Sequence, residues 1–146
     1  MNSEFLSYQV REAGGSYTDK FKQAVCGLAH ELKHTTQGNV ERLSIRSEAE
    51  AYLFEAGVRT ELHVPKTRFQ EKLLANANIW GTRDNLTHDL CALCRMRSCF
   101  MEYFSGDAAN WYANEPLDYS SGYFGEPIPV VHQHCQSCSD TSCPYG

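Results

Sequence analysis

The amino-acid sequence predicts a helix-dominated α+β fold organised as one domain, residues 1–146. Three observations lead there. The chain has 146 residues, 42 % hydrophobic and 21 % charged, which is one domain's length with enough apolar material for a packed core. Several stretches place apolar residues at helical spacing. From about residue 105 onward that periodicity is lost, and Gly106, Pro116, Gly122, Gly125, Pro127 and Pro129 alternate with aromatic side chains, the composition of loops and short strands.

The elements follow in chain order. Phe5, Tyr8 and Val10 suit a short strand that ends at Gly14-Gly15. Ser16 or Thr18 can cap a first helix running to about Thr36, with Gly38 just beyond its end. Phe21, Ala24, Val25, Leu28 and Leu32 form the apolar stripe of that helix, and the stripe is predicted to be its packing face. A second helix is expected from near Ser47 to Ala56, stopped by Gly57. A third follows Pro65, capped by Thr67, with Phe69, Leu73, Leu74 and Ala77 on one side. A fourth should cover about Asn85 to Phe104.

Charge and hydropathy exclude some functions. The net charge of −5 argues against an electrostatic grip on nucleic acid or anionic membrane, so no nucleic-acid partner is expected. No apolar run approaches the roughly 20 residues of a membrane span. Met1-Asn2-Ser3-Glu4-Phe5 shows no Sec-type signal, which predicts a cytoplasmic location or export by another route.

The chemistry is concentrated in His30-Glu31-Leu32-Lys33-His34, an HExxH pattern inside the first helix. Residues four apart lie one above the other, about 40° round the helix axis. Two imidazoles so placed can grip one Zn²⁺, while Glu31 sits beside the ion as a general base for a bound water. On the helical wheel the histidines fall opposite the apolar stripe, which predicts a ligand face turned toward a cleft. A third ligand is needed, and Ser47-Glu48-Ala49-Glu50-Ala51-Tyr52-Leu53-Phe54 supplies two candidates. Glu48 and Glu50 diverge by about 200°, so only one can face the metal. The wheel slightly prefers Glu50 as the inward residue, but Ser47 and Glu50 also read as a capping box.

His30–His34 followed by this acidic, ExEAxxF-like helix resembles the compact gluzincin peptidases: the minigluzincins, the ImmA/IrrE-type peptidases and the HExxH domains of bacterial toxins. The resemblance spans about residues 18–65. It implies a zincin-like active-site helix, a catalytic zinc held by His30, His34 and Glu48, Glu31 as catalytic base, and a protein or peptide substrate. Tyr52 stands where those families often carry Asn or Asp to hydrogen-bond the first histidine. On this reading the chain is a zinc metallopeptidase; the alternatives are a zinc-stabilised binding module without catalysis and a pseudo-peptidase.

Six of the seven cysteines lie in the segment 85–146. Cys91-x2-Cys94-x4-Cys99 is echoed by Cys135-x2-Cys138-x4-Cys143. Cys91, Cys94, Cys135 and Cys138 can form a structural zinc site, or the six can pair as disulfides; either would staple a loop-rich C-terminal segment to the fourth helix. Arg95 and Arg97 read as a solvated face. Tyr112, Tyr119, Tyr123, His132 and His134 are candidate donors to a developing oxyanion.

Overall fold

A computed structural model describes residues 17–37 and 43–130. Its order is α1 (Tyr17–Thr36), α2 (Ile45–Glu61), α3 (Arg68–Ala75), α4 (Ala77–Trp80), β1 (Gly81–Thr82), β2 (Asn85–Leu86), α5 (Leu90–Tyr103), α6 (Gly106–Asn114), β3 (Asp118–Ser121) and β4 (Pro127–Val130). Helices dominate, and the described strands form two antiparallel pairs, β1–β2 and β3–β4. The expected N-terminal strand, Gly38, His132, His134, Cys135, Cys138 and Cys143 lie outside the described residues.

Local chemistry sets most of the boundaries. α2 starts earlier than expected because Ser44, not Ser47, is its cap. The Ser44 hydroxyl accepts from the Ser47 amide at 3.1 Å, and the Ser47 hydroxyl accepts from the Ser44 amide at 2.8 Å. This reciprocal pair satisfies two donors at the helix entrance. Ser47 therefore closes the box rather than opening it, and Glu50 has no capping task. Two further amides of this first turn are satisfied from outside the helix: Ile45 donates to the Pro116 carbonyl at 2.8 Å and Arg46 to the Leu117 carbonyl at 3.1 Å. The β3–β4 hairpin that follows is thereby anchored to the start of α2.

The end of α2 is also a correction. The helix runs through Gly57 and stops at Glu61. His63 takes φ +58°, its amide donates to the Thr60 carbonyl, and the Val64 amide reaches back to Arg59 at 2.8 Å. That is a left-handed Schellman ending, with histidine in the position glycine usually fills. α3 begins as expected: Thr67 and Gln70 form a reciprocal capping box. Leu74, expected on its packed side, is 43 % exposed. The segment 85–104 is not one helix, because Asn85–Leu86 pair with Gly81–Thr82 and Asp89 caps α5 through the Ala92 amide. Gly81 holds φ +88°, and a Cβ there would collide with the Asn85 carbonyl oxygen. α6 falls where the sequence predicts loop or short strand.

The apolar core lies between α2, α3 and α5. Phe100, Leu93, Met96, Leu73 and Ile45 are almost completely buried, and rings from Tyr52, Phe69, Phe104 and Tyr112 pack round Phe100. No described side chain of α1 belongs to this cluster. Its face toward α2 is Cys26, Ala29, His30 and His34, all buried, whereas Phe21 and Leu32 are 44 % and 53 % exposed. The expected orientation of α1 is therefore corrected: the histidine face packs, while of the apolar stripe Phe21 and Leu32 meet solvent and Ala24, Val25 and Leu28 are half-buried. The reason lies in α2, whose side toward α1 carries Glu48 and Glu55. Buried carboxylates need charged or hydrogen-bonding partners, and imidazoles supply them where leucine cannot.

Candidate metal centre

Three side chains converge in the α1–α2 seam. The ligating atoms of His30, His34 and Glu48 all lie within 4.8 Å of one another, and each residue is buried. His30 Nε2 and His34 Nε2 are 3.3 Å apart, Glu48 Oε1 is 2.7 Å from His34 Nε2, and Glu48 Oε2 is 3.7 Å from His30 Nε2. A tetrahedral zinc with bonds of about 2.0 Å needs its ligand atoms about 3.3 Å apart. Two imidazole nitrogens and one carboxylate oxygen so placed lie close enough to hold a metal ion. Glu50 points elsewhere, to Lys33 Nζ at 3.5 Å and Arg46 Nη1 at 3.4 Å.

The electrostatics agree with this geometry. Burial works to raise the Glu48 pKa, but hydrogen bonds with His30 and His34 overcome it and hold the carboxyl at about 2. The same hydrogen bond raises the His34 pKa against burial, with Gln37 assisting. His34 Nδ1 donates to Gln37 Oε1 at 2.7 Å, and Gln37 Nε2 is itself fixed on the Ser47 carbonyl at 3.0 Å. His34 Nε2 therefore faces Glu48 with its orientation set from behind, so a metal ion and a proton compete for one position.

His30 is oriented differently. Tyr52 packs its ring against the imidazole, with 4.3 Å between centroids. The carboxylate that faces His30 Nδ1 is Glu55, with Oε1 at 3.7 Å. That nitrogen is buried and makes no hydrogen bond. Glu55 is held by Arg59 Nε at 2.8 Å and by a short contact from Gln70 Nε2. Glu55 lies seven residues after Glu48, two turns along the same face of α2. That spacing was the available signal for its role.

α6 completes the surroundings. The Tyr112 hydroxyl donates to Glu48 Oε2 at 3.4 Å and lies 3.3 Å from the Tyr52 hydroxyl. Of the five expected oxyanion donors it is thus beside the cluster; Tyr123 is 92 % exposed at the hairpin tip. Three residues past Tyr112, Glu115 is buried and its Oε2 has no partner. Burial first, and then the charge of Glu48, push its pKa up to about 8, against His34 and Arg97. Arg97 corrects another expectation: it is buried, and its Nη2 donates to the Glu115 carbonyl at 3.0 Å. No sequence pattern marked Gln37 or Glu115, because each arrives from a turn or a helix end.

Glu31 is exposed on α1, close enough for its charge to raise the His34 pKa. Among the C-terminal cysteines, Cys94 is disulfide-bonded and Cys99 is a buried free thiol. Cys91 is also buried. No helix among the described residues is long and apolar enough to cross a membrane. Neither family models, nor curated proteins, nor solved structures give a match to this chain.

Proposed function

We propose that the protein is a zinc-dependent peptidase in which His30, His34 and Glu48 hold the ion and Glu31 is the general base. The observation that carries this reading is the convergence of two imidazoles, one turn apart on α1, with a carboxylate from α2 at zinc-like separations. A zinc ion held by His30, His34 and Glu48 would lower the pKa of a bound water to about 7 and polarise a carbonyl. Glu31, adjacent to His30 and open to solvent, takes the proton of the attacking water and passes it to the leaving amine. Tyr112 steadies Glu48 through its hydroxyl, Gln37 orients the His34 imidazole from behind, and the Glu55 carboxylate faces His30 Nδ1.

The burial of all three ligands favours a second reading, in which the ion is structural and the protein a binding module. Glu31→Gln separates the two. As a peptidase, the variant keeps zinc and its melting temperature but loses hydrolysis of a denatured-protein substrate by roughly 10²–10⁴-fold. Zinc-loaded wild type without hydrolysis across a broad peptide library overturns the peptidase reading in favour of the binding module.

A further inference from the structure

We propose that the apolar groove between α1 and α2 is the docking site of the chain's own residues 5–10, laid back along α1 as an extended strap, whether or not the metal centre is that of a peptidase. The groove has a volume of about 370 Å³. Val25, Leu28 and Leu32 of α1 line one side, and Phe54 and Val58 of α2 line the other. Leu32 is 53 % exposed. Lys33 Nζ and the Arg83 guanidinium lie over the Phe54 ring, 5.6 and 5.8 Å from its centroid, so the rim is cationic.

Length, pattern and charge choose this occupant. Residues 1–16 precede α1 and lie outside the described residues. Among them Leu6, Tyr8 and Val10 alternate with Ser7 and Gln9, so an extended chain puts the three apolar side chains on one face. The extended stretch from Phe5 to Val10 covers about 17 Å. The helical stretch from Val25 to Thr36, the two ends of the groove on α1, covers about 16.5 Å. Returning from the start of α1 to Val25 needs about 12 Å, and residues 11–16 can span up to about 20 Å, which leaves room for a reversal at Gly14-Gly15. The strap then runs antiparallel to α1 and brings Glu4 toward Lys33 at the far end. An apolar stretch led by an acid suits an apolar groove with a cationic rim. A second copy of the chain suits it less. Lys22 and Lys33 lie about 20° apart round the α1 axis, so pairing two α1 helices across a two-fold axis would bring like charges together. No described side chain of α1 belongs to the apolar core cluster. An occupant that grips both helices therefore adds to what holds α1 on α2.

The test places a photoreactive benzoylphenylalanine at position 8 of the full chain and maps its crosslinks by mass spectrometry, with isotopically light and heavy chains mixed. Crosslinks within one chain to residues 25–36 or 54–58 are expected. Melting temperature gives a second readout. Leu32→Lys, at an exposed helix position, should shift it by no more than about 2 °C if the groove is empty. A docked strap makes it fall by about 5 °C or more, because Tyr8 loses an apolar partner. Tyr8→Asp should cause a similar fall, and the Tyr8→Asp/Leu32→Lys pair a fall smaller than the two added, since the new charges face each other. Crosslinks between light and heavy chains would give the groove to a second copy and overturn the strap. Crosslinks elsewhere in the chain, a melting temperature unmoved by Leu32→Lys, or additive falls in the pair would overturn it too.

Discussion

The two sides of α2 follow opposite rules. Ile45, Ala49 and Leu53 face an apolar core whose stability comes from burial and packing of rings and aliphatic chains. Glu48 and Glu55 face α1 and are buried against histidines, where burial is costly unless every charge is met. The core needs only apolar groups of the right size. The seam needs particular atoms at particular separations, and it leaves His30 Nδ1 without a hydrogen bond. A protein selected only for stability would fill the seam with leucine, as the apolar stripe of α1 itself offers. Two imidazoles facing two carboxylates occupy it instead.

The contrast can be broken from the core side first. Phe100→Ala removes the ring at the centre of the aromatic cluster and should cost about 3–5 kcal/mol in urea unfolding. Zinc affinity of the fraction that remains folded should be unchanged. Equal damage to both would mean that core and seam are one cooperative unit.

Next in size is the buried acid beside the seam. The pKa of Glu115 is raised in the folded state to about 8 from an ordinary 4.5, so the folded protein binds its proton more tightly than the unfolded chain does. The stability linked to this group is complete below about pH 4.5 and is lost as pH rises through about 8. Glu115→Gln should flatten that decline and stabilise the metal-free protein at pH 8.5 by something on the order of 3 kcal/mol. A decline that persists unchanged in urea titrations of the variant would assign it to another group.

The smallest effect sharpens the account of orientation. Glu55→Gln keeps the shape beside His30 but removes the charge facing Nδ1, and should weaken zinc binding about 10–100-fold with little change in fold. Competition against a chelator of known affinity measures it. An unchanged affinity would leave Tyr52 packing alone to orient His30.

The sequence made much of this legible. The HExxH spacing put both imidazoles on one face, and the family resemblance chose Glu48 over Glu50, which the structure turns toward Lys33 and Arg46. Thr67 announced the start of α3 because capping chemistry is local. The orientation of α1 was not legible, since the wheel ranks faces by hydrophobicity and cannot see that α2 presents carboxylates. Nor was α6, a nine-residue helix opened by a glycine, in a segment rich in turn residues. Glu55, Gln37 and Glu115 act through tertiary placement, which no short motif encodes.

On the proposed function, His30, His34 and Glu48 together hold one zinc ion. Elemental analysis after zinc loading and gel filtration tests it directly, on wild type, a His30→Ala/His34→Ala double variant, Glu48→Gln and Glu50→Gln. The double variant and Glu48→Gln should each lose one equivalent relative to wild type, while Glu50→Gln should lose none. Zinc content that is unchanged in the double variant, or lost in Glu50→Gln and retained in Glu48→Gln, would contradict it.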